Sequence, residues 1–281
     1  MNLQGKRVLL TGASGGIGRE IAQALEAKGA ALILVARSRN KLEALKNSLE
    51  CPERHHVLAI DFQHPDSEDV LKAFALEQVQ RDQRIDVLIN NAGNNQFSFL
   101  AQRSAKSLRE EIHLNLMTPM LTSQSALSWL QRPGIILNIG STFGSIGFPG
   151  YTSYCAAKAG VQRFSEALDR ELDGAGIRVL YLAPRATNTD LNDDRVTQMN
   201  RDLGNRSDAP SVVARHVVSI LEKERASMWI GWPEKLFARL NQLIPTVVSA
   251  SIRKQQDTIH HYITPGAVQP PRSPHIMRDE R

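Results

Sequence analysis

Six short runs of the chain are apolar almost from end to end: 7–12 (RVLLTG), 31–37 (ALILVAR), 56–61 (HVLAID), 86–93 (DVLINNAG), 135–141 (IILNIGS) and 177–184 (IRVLYLAP). A strand with one wet face alternates apolar and polar side chains, whereas a strand covered on both faces does not. These runs therefore predict strands buried from both sides, and a seventh, 227–233 (SMWIGWP), joins them. Each intervening segment is long enough for one amphipathic helix. Strand and helix in alternation predict an α/β fold: a Rossmann-like, doubly wound parallel sheet of seven strands with helices on both faces and right-handed crossovers. Neither a repeat nor an interior linker interrupts residues 1–232, which read as one cofactor-binding and catalytic domain. After Trp232 the pattern changes. Leu236, Leu240, Leu243 and Val247 recur at helical spacing, with Phe237, Ile244, Val248 and Ile252 beside them. Residues 233–263 thus form an amphipathic helical extension, which Pro245 should kink or divide. The Pro-rich, polar stretch 264–281 is expected to be disordered.

Net charge is +5, which raises nucleic acid as a partner. The Lys and Arg residues are scattered, though, and electrostatic binding to nucleic acid wants a cluster, so no nucleic-acid partner is expected. A site for a small phosphorylated anion suits the basic balance equally well. Cys51 and Cys155 are the only cysteines, too few for a disulfide scaffold, which favours a reducing compartment. The N-terminus runs straight into a strand with no signal segment, and no apolar run is long enough to span a bilayer. A cytoplasmic protein without a metal site is expected.

The first strand leads into Thr11-Gly-Ala-Ser-Gly-Gly-Ile-Gly18, which opens the amphipathic helix IGREIAQALEAKG. Gly12 permits a tight turn, Gly16 lets the backbone approach a pyrophosphate, and Gly18 lets helix and strand pack closely. The helix N-terminus then offers bare N–H groups and a positive dipole end. The strand before and the helix after lift this pattern above an ordinary Gly-rich turn. Gly12-Ala-Ser14-Gly-Gly16 also fits the nucleophile elbow of α/β-hydrolases, with His216, His260 and His261 available downstream. In that family, however, several strands precede the nucleophile, and the later motifs would go unused. At the end of the second strand an NAD site usually carries an acid for the ribose 2′-OH. Here the chain reads VARSRN, with Arg37 at that position and Ser38 and Arg39 beside it. A guanidinium pairs with a 2′-phosphate and stacks on adenine, so the cofactor expected is NADP(H).

GYTSYCAAKAG (150–160) holds two tyrosines and one lysine. On a helix, side chains four apart share a face. Tyr154 has Lys158 at that offset, while Tyr151 has Cys155, so Tyr154 is the tyrosine expected to do chemistry. An ammonium nearby should favour phenolate and bring the phenol toward useful acid–base range. Ser141 ends the strand IILNIGS, and ligands of a doubly wound sheet sit at the carboxyl ends of its strands. Its hydroxyl is therefore a candidate to hold a substrate oxygen.

TGASGGIG (11–18), NNAG (90–93), HLN ending at Asn115, IGS ending at Ser141, YCAAK (154–158) and LAPRATNT (182–189) together resemble the short-chain dehydrogenase/reductase superfamily, in its order and spacing from residue 5 to about 232. The resemblance implies a catalytic tetrad of Asn115, Ser141, Tyr154 and Lys158. Tyr154 would be the general acid–base and Ser141 would orient the carbonyl. Lys158 would hold the nicotinamide ribose and lower the Tyr154 pKa, and Asn115 would hold a water of the proton relay. Cofactor contacts carried over in the same way are Gly12, Ser14, Gly16, Ile17 and Gly18 at the phosphates and Arg37 at the 2′-phosphate. Asp61 and Phe62 belong near adenine, Asn91, Ala92 and Gly93 along the adenosine and ribose. Tyr154 and Lys158 lie at the nicotinamide ribose, and Pro184 and Thr187 at the nicotinamide amide. One departure stands out: where the family usually has Gly after Pro184, this chain has Arg185. That residue either favours an anionic substrate group or turns to the surface.

The implied function is an NADP(H)-dependent oxidoreductase that interconverts a carbonyl and an alcohol, acting as a reductase on an apolar carbonyl. Two rivals remain in view. A catalytically inactive dinucleotide sensor or scaffold should have lost a tetrad member, and none is lost. A sugar-nucleotide epimerase also uses Tyr-x-x-x-Lys, but the glycine spacing and short C-terminal half count against it. Phe97, Phe99, Phe143 and Phe148 suggest an apolar pocket for an acyl, polyketide or steroid-like carbonyl, and equally suit a core. The partners expected are this small molecule and further copies of the chain, as a homodimer or homotetramer. Segment 233–257 packs on its own domain by default. The alternatives are capping the site, packing on another subunit, or lying on a membrane surface with Lys235, Arg239, Arg253 and Lys254 outward.

Overall fold

Successive side chains of a strand point to opposite faces of the sheet, and that rule sorts the core of this chain into two layers. Val8 and Leu10, Leu32 and Leu34, Val87 and Ile89, Ile135 and Leu137 enter one layer; Leu9, Ile33, Val35, Leu88 and Ile136 enter the other. The central strands are mostly apolar because both layers are dry. The runs at the sheet edges, His56–Ala59 and Ser227–Trp229, are exposed or half-buried, since an edge strand has a neighbour on one side only. The computed structural model describes residues 1–189, 191–232 and 234–263. The tail 264–281, expected to be disordered, lies outside the described residues.

The seven strands are β1 (Arg7–Thr11), β2 (Ala31–Ala36), β3 (His56–Ala59), β4 (Ile85–Asn90), β5 (Leu130–Ile139), β6 (Ile177–Ala183) and β7 (Ser227–Trp229). They form one parallel sheet in the order β3-β2-β1-β4-β5-β6-β7. The order reverses between β1 and β4, which opens a crevice at the carboxyl ends of the strands, where such sheets bind ligands. This is the Rossmann-like doubly wound sheet that the sequence predicts.

Helices α1 (Gly16–Glu26), α2 (Arg39–Asn47) and α8 (Pro210–Lys223) cover the first layer: Ile21 and Leu25, Leu42 and Leu45, Val213, Val217 and Leu221 point into it. The second layer is covered by α3 (Ser67–Gln80), α5 (Thr118–Ala126) and α6 (Thr152–Glu171), through Leu71, Ala75, Ala126 and Leu168. Helix α4 (Ala105–Ile112) runs into α5 through a π-helical turn, His113–Met117. Inside this layer Asn90 and Asn138 meet at 2.8 Å, and Asn138 donates to Ser165 at 2.8 Å, so buried amides pin β4, β5 and α6 together. Such a network is stable only when every polar atom finds a partner.

Helix α7 (Asp194–Asp202) lies beyond β6. After Trp232 the chain forms α9 (Glu234–Leu243), α10 (Pro245–Lys254) and α11 (Gln256–Ile263). Pro245 takes the first turn of α10, where its missing N–H costs nothing. The proline therefore divides the amphipathic segment rather than kinking it. Ile259 and Ile263 of α11 join Val196 and Met199 of α7 and the aromatic Phe97 and Tyr151 in a third apolar cluster. Among the described residues no helix is long and apolar enough to cross a membrane.

Candidate active site

The glycine loop sits where β1 turns into α1, and its geometry explains its composition. Gly12 has φ of +64°, and a Cβ there would lie 2.8 Å from Ala92 Cα. A Cβ on Gly18 would lie 2.2 Å from the Gly12 carbonyl oxygen, so β1 and α1 can close on each other only with glycine. Gly15 caps α1 with no side-chain hydrogen bond, and the first turn holds no acid. The bare N–H groups of Gly16, Ile17 and Gly18 and the helix dipole therefore face the crevice uncompensated, as an anion-binding terminus requires. Thr11 Oγ1 accepts the backbone N–H groups of Asn91 and Ala92 at 2.9 and 3.0 Å, and the Asn91 amide donates to the Thr11 and Gly12 carbonyls. The NNAG segment is thus stitched to the glycine loop across the reversal of strand order.

Beyond β2, Arg37 is exposed and makes no hydrogen bond or ion pair among the described residues, while Arg39 lies 3.6 Å from Glu43. Ser38 caps α2, accepting from the Lys41 N–H. Asp61 is exposed and accepts the Gln63 N–H at 3.0 Å. Phe62 is buried in the second core layer, so only its main chain is open to a ligand.

At the other strand ends the four candidate catalytic residues meet. Ser141 follows β5; its hydroxyl accepts the Phe143 N–H at 3.1 Å and caps a short 3-10 turn, Thr142–Gly144. Tyr154 and Lys158 lie one turn apart on α6, with Lys158 Nζ 5.7 Å from the centre of the Tyr154 ring. Lys158 is buried and donates to the Ile139 carbonyl at 3.0 Å. Asn115 sits in the π-helical turn, a local departure that recurs at functional sites. Its amide nitrogen donates to the carbonyls of Glu111 at 2.9 Å and Asn94 at 2.8 Å. Its Oδ1 is buried without a partner among the described residues. A Cβ on Gly93 would come within 2.8 Å of that oxygen and 3.7 Å of Lys158 Nζ, so glycine keeps open the space between them. Buried acceptors are nearly always satisfied, and an oxygen left bare beside an ammonium marks a place for a water or ligand group.

Tyr151 is not part of this set. It caps α6, is buried, and stacks on Phe97 at 5.1 Å. Phe143 and Phe148 stack on each other at 5.1 Å and face the cavity, whereas Phe97 belongs to the core beneath it.

The protonation states differ from the sequence expectation. Burial pushes the Tyr154 phenol up to about 12, against a smaller opposing effect of the Ser141 hydroxyl. Burial alone brings the Lys158 ammonium down to about 8. Lys158 does not lower the phenol in the protein by itself: its charge lies over the ring and is spent on the Ile139 carbonyl, so desolvation dominates. At neutral pH the phenol is protonated.

Arg185 fits neither reading offered for it. Its guanidinium donates to both carboxylate oxygens of Asp208, at 2.9 and 2.7 Å, and the two side chains are only 14% and 11% exposed. The pair ties the loop after β6 to the segment before α8, beside a bridge between Thr187 and Asp208. With the charge so matched, the case for an anionic substrate group loses its base. Thr187 is buried, Pro184 accepts the Thr142 N–H, and Thr189 packs against Gly16.

These groups line one cavity of about 310 Å³ that runs from Ile17 and Asn91 past Ser141, Tyr154 and Lys158 to Ile252 and Gln255 of the C-terminal helices. Residues the sequence left unassigned support it from behind the lining. Glu111, one turn before Asn115, is buried, accepts from Arg103 at 3.2 Å and bonds Ser153 beside Tyr154. The Glu111–Asn115 spacing of one turn was the signal available for it. The walls from α10 carried no such signal, because only packing brings them there.

Residues 6–200 match the short chain dehydrogenase family. The chain is 38% identical over 194 residues to the 3-oxoacyl-(acyl-carrier-protein) reductase FabG of Haemophilus influenzae, covering 68% of this chain and 78% of that one. To the enzyme of the same name from Vibrio harveyi it is 36% identical over 235 residues, 80% of this chain and 93% of the relative. A short-chain dehydrogenase structure from Streptomyces avermitilis superposes with a TM-score of 0.73 at 26% identity, over 92% of this chain and 98% of its own. Family model, relatives and sheet order agree: the chain belongs to the short-chain dehydrogenase family of oxidoreductases.

Proposed function

We propose that the protein interconverts an apolar carbonyl compound and its alcohol with NADP(H), reduction being the working direction, and that Tyr154 is the general acid–base. One observation carries this reading: the unpartnered Asn115 Oδ1, the Lys158 ammonium and the Tyr154 phenol line the same cavity as Ser141 and the bare N-terminus of α1. A dinucleotide fits these residues. The first-turn N–H groups of Gly16, Ile17 and Gly18, after Ser14, would hold its pyrophosphate, and Arg37, without a partner among the described residues, its 2′-phosphate. Asp61 and the main chain of Phe62 would meet adenine, Asn91, Ala92 and Gly93 the adenosine side, and Pro184 and Thr187 the nicotinamide amide. The cofactor, when bound, supplies or accepts the hydride.

The chain's own work is then positioning and proton transfer. Ser141 orients the substrate oxygen. The protonated phenol of Tyr154 donates to that oxygen during reduction and takes the proton back in the reverse direction. Lys158, with its proton held less tightly than usual, passes a replacement toward Tyr154. Asn115 holds the water that links Lys158 to solvent. In this reading residues 1–232 bind the cofactor and carry the chemistry, and 233–263 shape the substrate side. Phe143, Phe148 and Ile252 favour an apolar substrate, and the likeness to reductases of 3-oxoacyl carrier-protein thioesters supports an acyl chain. The working form is a homodimer or homotetramer, which light scattering on the purified chain tests.

NADPH oxidation is to be followed against a panel of aldehydes, ketones and 3-oxoacyl thioesters. With any substrate so found, Tyr154→Phe is expected to lower kcat by about 10²- to 10⁴-fold, while NADPH titration shows its affinity kept. Turnover at the parent rate would overturn the mechanism, and a chain that fails to bind NADPH would overturn the cofactor.

A further inference from the structure

We propose that the outer face of α9 and α10 docks on an anionic lipid surface. Among the described residues, six of the eleven exposed large apolar side chains fall in residues 232–247: Trp232, Leu236, Phe237, Leu243, Ile244 and Val247. Scattered apolar residues are ordinary on any surface, but a contiguous group marks a contact. The inner sides of these helices are already committed. Ala238 and Val248 are 3% exposed, and Asn241 donates to the Ser145 carbonyl at 2.9 Å. Half a turn away, Leu236 and Leu243 share the opposite face of α9, and Leu243 is 80% exposed.

Charge identifies the occupant. From Lys235 to Gln256 the sequence has four cations, Lys235, Arg239, Arg253 and Lys254, and no Asp or Glu. On other helices some surface cations have an acid one turn away to pair with, as Arg81 has Glu77 and Arg170 has Glu166, whereas within residues 235–256 the sequence supplies none. None of these four makes an ion pair among the described residues. An apolar stripe with a basic rim is what an interfacial helix presents to acyl chains and anionic headgroups. A second copy meeting this patch by a two-fold axis would set like charges against like, because residues 235–256 hold no acid and Glu234 and Asp257 stand only at the ends of that run. Phe237 on α9 and Ile252 on α10 also line the cavity, so docking brings the mouth of the cavity to the lipid. The proposal stands apart from the oxidoreductase reading, because its test measures no turnover.

The full chain is to be sedimented with phosphatidylcholine vesicles with and without phosphatidylserine. Binding is expected to the anionic vesicles, falling with added salt. Lys235→Gln and Arg239→Gln should each weaken it about fivefold. The double variant Leu243→Glu, Ile244→Glu should weaken it more than about tenfold; both positions are exposed, and an unchanged Tm would show that the fold is intact. No binding, or equal binding to both vesicles, would overturn the proposal. So would a double variant that binds like the parent. If vesicles are ignored but sedimentation velocity shows a dimer that the double variant dissolves, the face belongs to a second copy instead.

Discussion

The two ends of the cavity are built by different means. At the β1–α1 end the backbone itself makes the site: Gly12 takes φ of +64°, and Gly18 has a carbonyl where a Cβ would stand. At the far end, side chains from α7, α9 and α10 form the wall, and their backbones are ordinary helix. A backbone site tolerates few residues, so it leaves a mark in the sequence. A side-chain wall tolerates any apolar residue of suitable size, so it leaves almost none. The contrast teaches why the proposed cofactor end can be read before folding and the proposed substrate end cannot.

If that is right, the smallest substitution at the backbone end has the largest effect. Gly18→Ala adds one methyl group 2.2 Å from the Gly12 oxygen, so strand and helix must part. We expect a loss of roughly 1–3 kcal/mol in stability from overpacking, and NADPH affinity reduced beyond about a hundredfold because the anion-binding N–H groups move. Calorimetry and NADPH titration measure the two. Near-parent affinity in this variant would break the comparison.

The proposed catalytic corner lies between the two ends, and the effect expected there is on stability and its pH dependence rather than on cofactor affinity. In the unfolded chain Lys158 keeps its proton up to its ordinary value of 10.5, and in the fold only to about 8. Between those values the unfolded state binds more protons, so stability rises with pH across this window, and below about 8 the full cost of burying the charge is carried. Lys158→Met removes that cost. At pH 7 we expect a gain of roughly 2–3 kcal/mol, the lost Ile139 hydrogen bond included, vanishing as pH nears 10.5. Tyr154 has the opposite sign: its raised value makes stability fall as pH climbs from 10 toward 12. Thermal melts of parent and variant across this range test both, and a variant less stable at pH 7 would contradict the first.

Arg185 sharpens the comparison, because there a side-chain device replaces a backbone one. Where the family usually has a glycine, this chain holds the loop after β6 with the Arg185–Asp208 pair. Asp208→Ala takes away a carboxylate that accepts twice from a mostly buried guanidinium and should cost roughly 2 kcal/mol. Arg185→Met with Asp208→Leu should restore most of it. Melting temperatures of the two variants decide, and a harmless Asp208→Ala would mean that the loop is held by other contacts.

The same division governs what the sequence disclosed. The central strands were legible because burial on both faces favours apolar residues, and Tyr154 with Lys158 because helical geometry fixes which offsets meet. Asn115 was legible only through resemblance: the π-helical turn that aims it depends on hydrogen bonds to Glu111 and Asn94, and no residue type demands it. The pairing of Arg185 with Asp208 was not legible at all, since it joins positions brought together only by the crossover from β6 to α8. The depression of Lys158 and elevation of Tyr154 followed from burial, a property of the whole fold and not of spacing.

The smallest expected effect on stability falls on Arg37, which lies at the backbone end yet acts only through its side chain. It is exposed and without partners among the described residues, so replacing it should leave stability within about 0.5 kcal/mol. Its consequence is confined to the choice of dinucleotide. Arg37→Asp exchanges a donor suited to a 2′-phosphate for an acceptor suited to a 2′-hydroxyl, so one charge-assisted contact is lost for NADPH and one hydrogen bond becomes available to NADH. A contact of that kind is worth about 1.5–3 kcal/mol, so NADPH affinity should fall about 10- to 100-fold while that for NADH holds or rises. Titration of both cofactors into both proteins reads this directly. Equal losses would mean that the substitution disturbs the glycine loop as a whole, and the line between backbone and side-chain construction would then have to be drawn elsewhere.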